Sequence, residues 1–365
     1  MAVNTWDGAV DTEWNDAGNW NTTGETDRVP TSADDVIIPD TSSLPNPTLS
    51  ATGGNPKNVK SLTIQTNGTI VGGGIQIRVY GQNASGFAVD NDGIISGNLN
   101  LEIKTPSATD IDLAGTSGNF NNLKINDASC VATMKSDCIL DGDLEIAAGE
   151  LSTGTGGYGF SNLTVAGDVD IDAGAKLEGN ASSGATVRLK NLTVNGTYSA
   201  TGGETIITGK NGSNYMIQKG GTGTFTHNKG TVKFEADTSS GTWYATNATN
   251  VENESIYFWN LETVRTGSAG SYRFFVGGNS FYLVVLNNLT IGVNTSIFSS
   301  NGTSILRHYG PFFNIEGAAA FDNVKDVECG FITIGSAGEL EFNDGDQTIN
   351  CTGIRNLRGA AGISA

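Results

Sequence analysis

The sequence has little charge, little proline and no helical pattern. Charged residues make up only 16% of its 365 positions, whereas an ordinary globular domain has about a quarter. Proline occurs seven times, and no Gly-X-Y period is present, which excludes a collagen-like triple helix. No segment combines a helical apolar period with capping residues, so the pattern argues against a helical fold.

Features that would direct the chain to a membrane, to nucleic acid or to a metal are also missing. No run of about 18 apolar residues predicts a membrane-spanning helix. The first residues show neither a basic region nor an apolar stretch, so we predict no signal peptide. The formal charge of −18 repels phosphate groups and argues against DNA or RNA as a partner. The four cysteines form no CxxC motif, and we predict buried, reduced thiols at Cys130, Cys138, Cys329 and Cys351.

Glycine and short apolar runs are what the chain has in abundance. Glycine fills 50 positions, nearly double the usual share of about 7%, yet Val, Ile, Leu and Phe recur throughout. A disordered chain lacks such runs because it cannot bury enough apolar surface to offset chain entropy. The composition therefore predicts many short strands joined by tight turns.

Three short units repeat from Val59 onward. The first reads Asn-Leu-(Thr/Lys)-(Val/Ile), the second begins with Gly-Asn or Gly-Asp before alternating apolar residues, and the third places a glycine turn between two apolar residues. Repetition of this kind is typical of a solenoid. The first unit occupies residues 122–125, 162–165, 191–194 and 288–291, the second 97–101, 142–146 and 167–171, and the third 146–151, 171–177 and 334–340.

Apolar and polar residues alternate within each unit, which is the period of a half-buried strand. Copies of the first unit start 28 residues apart at Asn260 and Asn288, a length that suits one coil of three short strands with their corners. We therefore predict an all-β, elongated solenoid with parallel sheets rather than stacked sandwiches. Leu163, Leu192 and Leu289 are expected to face a common interior, and the leading asparagines are expected to stack along the axis.

The first forty residues differ from the rest. Three of the five tryptophans, Trp6, Trp14 and Trp20, lie within fifteen positions. Terminal coils of a solenoid need a cap, so we predict that residues 1–58 form an N-terminal cap or attachment segment. Composition then suggests solenoid coils at 59–240, aromatic-rich coils at 241–320 and C-terminal coils with a tail at 321–365.

Aromatic residues concentrate in the third of these segments. Fourteen of the chain's aromatics lie between Trp243 and Phe313. Three consecutive aromatics at 257–259 cannot all face inward on a strand, so part of this segment is expected to be exposed or buried against another chain. Tyr, Trp and Arg are enriched at interface hot spots. The candidates for contact with a partner or glycan are Trp243, Tyr244, Tyr257, Trp259 and Arg273.

The opening pattern Trp-x-Gly, Asn-Trp, Val-Pro and Asp-Asp-Val-x-Ile-Pro resembles the start of bacterial surface β-helix proteins. The Asn-Leu-Thr-Ile repeats and residues 230–234 are similar to segments of secreted adhesin-like proteins and of bacteriophage tail spikes or fibres. The resemblance covers most of the chain, and its motifs are structural. It implies a right-handed parallel β-helix, commonly trimeric in phages. A missing signal peptide and a modest length favour a virion component over a secreted adhesin.

Paired carboxylates are the main candidates for chemistry. Polysaccharide-cleaving spikes of the resembled class use two Asp or Glu side chains, which must lie about 5 to 9 Å apart. Residues two apart on a strand share a face, so three pairs qualify, although a solvated acidic surface explains them equally well. We assign no catalytic residue. The pairs are Asp110 with Asp112, Asp141 with Asp143, and Asp168 with Asp170.

Metal and cofactor sites have weaker support still. A row of Asp168, Asp170 and Asp172, or the loop 343–346, supplies only part of a calcium shell, and no metal or cofactor is predicted. Of the two histidines, His227 is expected on a polar strand face, and His308 is a candidate for contact with a ligand or partner.

These features favour a structural virion protein, either a tail fibre or spike that binds the host surface or a head decoration protein. Its expected state is a homotrimer assembled in the host cytoplasm, attached to other virion proteins through the N-terminal segment and possessing no membrane insertion. The alternatives are a polysaccharide depolymerase spike and a secreted bacterial adhesin at the cell surface.

Overall fold

A computed structural model describes residues 2–154, 161–182, 184–236, 243–247, 256–266, 274–275, 282–293, 295, 297–298, 304–320, 324–336, 338–341, 348–357 and 363–364. The chain forms two compact units, Met1–Glu178 (unit 1) and Gly179–Ala365 (unit 2). The described residues contain β-strands and one short 3-10 turn at Ala17–Asn19, and no α-helix. None of them lies in a helix of the length and apolarity needed to cross a membrane.

Unit 1 consists of short strands. They are β1 (Val3–Trp6), β2 (Trp20–Thr22), β3 (Asp35–Ile38), β4 (Lys57–Val59), β5 (Ser61–Ile64), β6 (Thr69–Val71), β7 (Ile75–Val79), β8 (Phe87–Asn91), β9 (Ile94–Ser96), β10 (Leu99–Ile103), β11 (Ala108–Asp112), β12 (Leu123–Met134), β13 (Cys138–Leu140), β14 (Leu144–Ser152), β15 (Leu163–Val165), β16 (Val169–Ile171) and β17 (Lys176–Glu178).

Parallel pairing stacks these strands into three faces. The first face contains β4, β7, β10, the first halves of β12 and β14, and β16. The second contains β3, β5, β8, β11, the second halves of β12 and β14, and β17. The third contains the pairs β6–β9 and β13–β15. Because the chain visits the faces in turn, unit 1 is a parallel β-solenoid, as the sequence predicts.

The core of unit 1 is a set of apolar columns that run from coil to coil. On the first face Leu101 pairs with Leu123, Leu123 with Leu144, and Leu144 with Val169, and all four are buried. In-register parallel strands place these side chains about 4.8 Å apart. Each coil therefore buries its apolar residues mainly against the coils before and after it.

Two glycines allow the sharp turn that the third repeat unit predicts. Gly149 and Gly174 have φ values of 85° and 84°, in the left-handed region that costs glycine little. A side chain at Gly149 would also collide with the carbonyl oxygen of Asp127, 2.4 Å from the position of its Cβ. The two turns are followed by Leu151 and Leu177, which are paired in register.

The tryptophan cluster is buried at the start of unit 1. Trp20 contacts Trp6 and Trp14 edge to face, with ring centroids 5.1 and 4.7 Å away. The Trp6 indole donates to the carbonyl of Pro45 at 2.7 Å, so its polar atom is satisfied. Strand β1 pairs with β2 antiparallel and with β3 parallel. The aromatic cluster predicted near the N-terminus is thus present.

Unit 2 is also built of short strands. They are β18 (Thr186–Leu189), β19 (Leu192–Val194), β20 (Thr197–Ser199), β21 (Glu204–Ile207), β22 (Tyr215–Lys219), β23 (Thr224–Thr226), β24 (Thr231–Ala236), β25 (Trp243–Thr246), β26 (Tyr257–Arg265), β27 (Phe274–Phe275), β28 (Tyr282–Ile291), β29 (Ile297–Phe298), β30 (Ser304–His308), β31 (Phe312–Ile315), β32 (Ala318–Ala320), β33 (Val324–Ile334), β34 (Glu339–Glu341), β35 (Thr348–Asn356) and β36 (Ile363–Ser364).

Its longest face stacks β18, β21, β24, β26 and β28 in parallel order. Strands β30 and β31 both pair with β28, β33 follows them, and β35 follows β33. A second face contains β19, β22, β25, β27 and β29. Unit 2 is therefore a parallel solenoid as well.

The 28-residue spacing is confirmed as one coil of unit 2. Asn260 lies opposite Asn288, and Leu261 lies opposite Leu289. The amide of Asn287 donates to Oδ1 of Asn260 at 2.8 Å, so asparagine side chains do bond between coils here. Leu163, Leu192 and Leu289 are each buried in their own units.

Candidate functional site

The five residues predicted from the aromatic segment fall in different places. Trp243 begins β25 and is only 6% exposed, so its ring packs into the interior. Tyr244 is half-buried and lies opposite Tyr215 with ring centroids 5.3 Å apart. Tyr257 and Trp259 lie on β26, in a different sheet from β25. Arg273 lies outside the described residues.

Strand β26 confirms that the consecutive aromatics cannot share one environment. Phe258 is fully buried, whereas Tyr257 is 38% exposed and Trp259 is half-buried. Tyr309 and Phe312 are both 58% exposed, so part of the aromatic segment does reach the surface of unit 2.

His227 follows β23 and begins a turn at residues 227–229, so it does not lie on a strand face as predicted. This turn contacts Trp259. The His227 imidazole stacks on the indole with ring centroids 5.6 Å apart and planes inclined by 23°. The Lys229 ammonium lies 5.7 Å from the ring centroid, within cation–π range. Burial, followed by the charge of Lys229, lowers the pKa of His227. Sequence reasoning did not place His227 or Lys229 here, because they lie one coil away from Trp259 and only the parallel pairing brings them together.

His308 packs inside unit 2 and does not line its surface. It is buried, and its Nε2 lies 2.8 Å from the carbonyl oxygen of Asn287. Burial lowers its pKa, which favours the neutral ring. Its burial places it away from any ligand at the surface of unit 2.

Of the three carboxylate pairs predicted on single strands, only Asp110 and Asp112 share one strand, β11. Asp141 and Asp143 lie between β13 and β14, and Asp168 precedes β16. Asp110 forms an ion pair with Lys135, with 3.1 Å between Oδ1 and Nζ. Asp141 accepts a hydrogen bond from the Asn119 amide at 2.9 Å. Each of these carboxylates therefore helps to hold adjacent coils together.

Asp170 lies on the outward side of β16, whereas Asp168 precedes that strand, on the other side of the buried Val169 in sequence. The backbone N–H of Asp168 donates to Asp143 Oδ1 at 2.7 Å, which joins two coils. Asp170 lies opposite Glu145. Among the described residues no three His, Cys, Asp or Glu side chains are grouped as a metal site requires, and the loop 343–346 lies outside them.

A different pair of carboxylates meets across coils. Asp112 lies directly opposite Asp90 on the second face of unit 1. Burial raises the pKa of Asp90, and the charges of Asp92 and Asp112 raise it further. Asp112 accepts hydrogen bonds from the Ser136 hydroxyl and, at 3.2 Å, from the Ala114 N–H. Unequal environments of this kind suit a general acid and its partner carboxylate.

The first face of unit 1 also carries a polar groove with a volume of about 250 Å³. One ion pair lies in it, with 2.6 Å between Lys124 Nζ and Glu145 Oε1. Asn100 donates to the Gly74 carbonyl at 3.2 Å and accepts from Asn121 at 3.1 Å, so its amide is held in one orientation. The other polar lining residues are Asn55, Gln76, Asn122 and Asp143.

Four charged side chains alternate in sign along this face. Arg78 lies opposite Glu102, Glu102 opposite Lys124, and Lys124 opposite Glu145. Glu102 is 2% exposed, and it accepts from Arg78 and Asn126 at 2.6 Å each. Burial alone would raise the pKa of Glu102, but these hydrogen bonds lower it. The groove is therefore bordered by side chains whose positions are fixed by their neighbours on adjacent coils.

No protein-family model, curated protein or solved structure matches this chain. Function is therefore inferred from the residues and their geometry.

Proposed function

We propose that this chain is a structural protein whose solenoid faces present fixed side chains for binding, as a bacteriophage tail fibre or spike does at the host surface. The observation that carries the proposal is the polar groove of unit 1. Its amides and its Lys124–Glu145 ion pair are held by bonds between coils. Preorganised polar groups lose less conformational entropy when a ligand binds.

The chemistry of the groove suits a hydroxylated ligand such as a surface polysaccharide. Amides offer donors and acceptors side by side, and the groove also provides an ammonium at Lys124 and carboxylates at Asp143 and Glu145. The opening pattern resembles the start of bacterial surface β-helix proteins. The Asn-Leu-Thr-Ile repeats are similar to segments of adhesin-like proteins and of phage spikes and fibres, and of these we favour a virion component. A head decoration protein and a secreted bacterial adhesin are the alternatives.

Binding to bacterial polysaccharide tests this proposal. We expect the purified chain to bind capsular or lipopolysaccharide preparations from a susceptible host, and Asn100→Ala to weaken binding. Thr63→Ala, on the second face, is the matched control and should bind as the unmodified chain does. Equal binding by the groove variant and the control would exclude the groove as the binding site. If the unmodified chain binds no surface polysaccharide, the proposed binding function is contradicted.

Assembly is a separate part of the proposal. We propose a homotrimer, in which the exposed Tyr257, Tyr309 and Phe312 are covered by neighbouring copies, and attachment to the virion through the N-terminal segment. Light scattering should give three times the chain mass. A monodisperse monomer would exclude the trimer.

The register pair Asp90 and Asp112 supports polysaccharide cleavage as a second candidate function. In a depolymerase Asp90 would donate the proton to the leaving oxygen, since its pKa is raised, and Asp112 would act as the opposing carboxylate. Release of reducing ends should then disappear in Asp90→Asn and persist in the control Asp141→Asn. If the unmodified protein releases no reducing ends, cleavage is contradicted and polysaccharide binding remains as the proposed function.

A further inference from the structure

Two cysteines of unit 2 lie directly opposite each other on adjacent coils. Cys329 of β33 is paired in register with Cys351 of β35. In-register parallel strands bring paired Cα atoms to about 4.8 Å, inside the range of about 4.4 to 6.8 Å that a disulfide requires.

Both side chains point to the interior side of their strands, although Cys351 is only half-buried and not buried as predicted. Val327 and Cys329 are buried on β33 while Glu328 between them is exposed, and their register partners Ile349 and Cys351 are less exposed than Asn350. Because the strands are parallel and in register, the two Cα–Cβ bonds point the same way and the Cβ atoms are also about 4.8 Å apart. Disulfide formation then has to draw the Cβ atoms together by only a few tenths of an ångström, into the usual range of about 3.5 to 4.5 Å. Burial, followed by the charge of Cys351, raises the pKa of Cys329 to about 12.

We propose that Cys329 and Cys351 are a disulfide-forming pair that clips β35 to β33 when the protein reaches an oxidising environment. The clip joins residues 22 positions apart in the chain. It does not depend on the proposed binding function, since it follows from the register of two strands.

The chemistry requires a low-molecular-weight disulfide as oxidant. Cys351, the more accessible thiol, loses its proton and attacks one sulfur of that disulfide, which releases one small thiol and leaves a mixed disulfide on Cys351. Cys329 then loses its proton and attacks Cys351 Sγ, which releases the second small thiol. The two protein thiols lose two electrons and two protons, and the oxidant gains them.

The position of the two cysteines suggests that the disulfide stabilises the pairing of β35 with β33. Among the described residues β35 has one strand partner, β33. Its interior-side Ile354 is 42% exposed although the register partner Ile332 is fully buried. Strand β35 therefore buries less apolar surface than the coils before it, and a covalent bond would limit its separation from β33.

The other two cysteines are natural controls. Cys130 lies on β12 and Cys138 on β13, on different faces of unit 1. Both are buried, and burial raises the pKa of each to about 12. Cys138 is paired with Leu163 rather than with a cysteine. Neither has the register geometry of the proposed pair, so both are expected to stay reduced.

Counting thiols before and after incubation of the folded protein with oxidised glutathione tests the proposal. Of the four cysteines, two should remain as free thiols after denaturation, and peptide mapping should join Cys329 to Cys351 within one chain. Cys130→Ser should still lose two thiols, whereas Cys351→Ser should lose none. Limited proteolysis should release residues 348–357 several-fold more slowly from the oxidised protein.

Retention of all four thiols in the folded, unmodified protein would overturn the proposal. A disulfide that involves Cys130 or Cys138, or one that joins two chains, would overturn the pairing. Formation of the expected disulfide with unchanged proteolysis of residues 348–357 would overturn its role as a clip. Polysaccharide binding is measured separately, so its failure would leave the thiol result unaffected.

Discussion

The indole of Trp259 stacks on the imidazole of His227, one coil away, with 5.6 Å between the ring centroids. The backbone N–H of Lys229 donates to His227 Nδ1 at 3.0 Å. An acceptor at Nδ1 places the ring proton on Nε2 in the neutral form. Protonation of Nδ1 would remove this hydrogen bond and set a second positive charge beside Lys229.

Trp259 fluorescence should therefore respond to acid. The pKa of His227 is lowered by burial and by Lys229, so the stack should persist below the ordinary histidine value of about 6.5. Because the unfolded chain binds this proton first, stability is full above about pH 6.5 and falls as pH drops through the lower folded value. A fluorescence change in mild acid should be present in the unmodified protein and absent in His227→Gln and Trp259→Phe.

A second prediction concerns Asp34 in the N-terminal segment. It is fully buried and accepts from Arg28 at 2.7 Å and from Thr31 N–H at 2.8 Å. Burial alone would raise its pKa, but these hydrogen bonds lower it from 3.8 to about 2. Asp34→Asn should lower the free energy of unfolding by about 1–3 kcal/mol at pH 7, as measured by urea unfolding.

The pH dependence of this contribution has a definite sign. Since the folded pKa of Asp34 is lowered, its stabilisation is present above pH 3.8 and is lost as pH falls to about 2. The difference in the free energy of unfolding between the unmodified protein and Asp34→Asn should decrease over that range. Asp40→Asn, at an exposed site, should cost much less, and an equal cost at both sites would contradict the account.

The charge row on the first face predicts a charge-swap result. Lys124 lies between Glu102 and Glu145, so Lys124→Glu would place three carboxylates side by side. We expect a loss of about 1 kcal/mol in the free energy of unfolding. Adding Glu145→Lys should restore part of it, and a double-mutant cycle measures the coupling. Additive effects of the two changes would show that the two side chains do not interact.

The interior column predicts unequal costs at neighbouring positions. Leu144 is fully buried between Leu123 and Val169, so Leu144→Ala should cost about 2–5 kcal/mol. Glu145→Ala, one position on and facing outward, should change stability by about 0.5 kcal/mol or less. Chemical denaturation measures both, and similar costs would contradict the assignment of inward and outward sides.

Local patterns were sufficient to predict much of the fold. The alternation at 163–165 predicted which side chains are buried, because strand side chains alternate regardless of what they pack against. The cluster of Trp6, Trp14 and Trp20 predicted an aromatic cap at the start of the solenoid, and an aromatic cluster is present there. The spacing of Asn260 and Asn288 predicted one coil correctly.

Contacts between coils of unequal length were not predictable in this way. Leu123 pairs with Leu144, only 21 positions later, so the first and second repeat units stack on one face although they differ in sequence. The sequence suggested only carboxylates two positions apart, so it did not indicate Asp90, whose partner Asp112 lies one coil away. The cysteine spacing concealed the pairing of Cys329 with Cys351 for the same reason.

The register between coils is the central claim, and engineered disulfides measure it most directly. Lys124 and Glu145 are outward-facing register partners, so Lys124→Cys combined with Glu145→Cys should form a disulfide readily, identified by peptide mapping. Lys124→Cys with Asp168→Cys places the thiols on coils that are not adjacent, and it should form none. Efficient cross-linking of the second variant, or failure of the first in a folded protein, would contradict the stacked-coil structure.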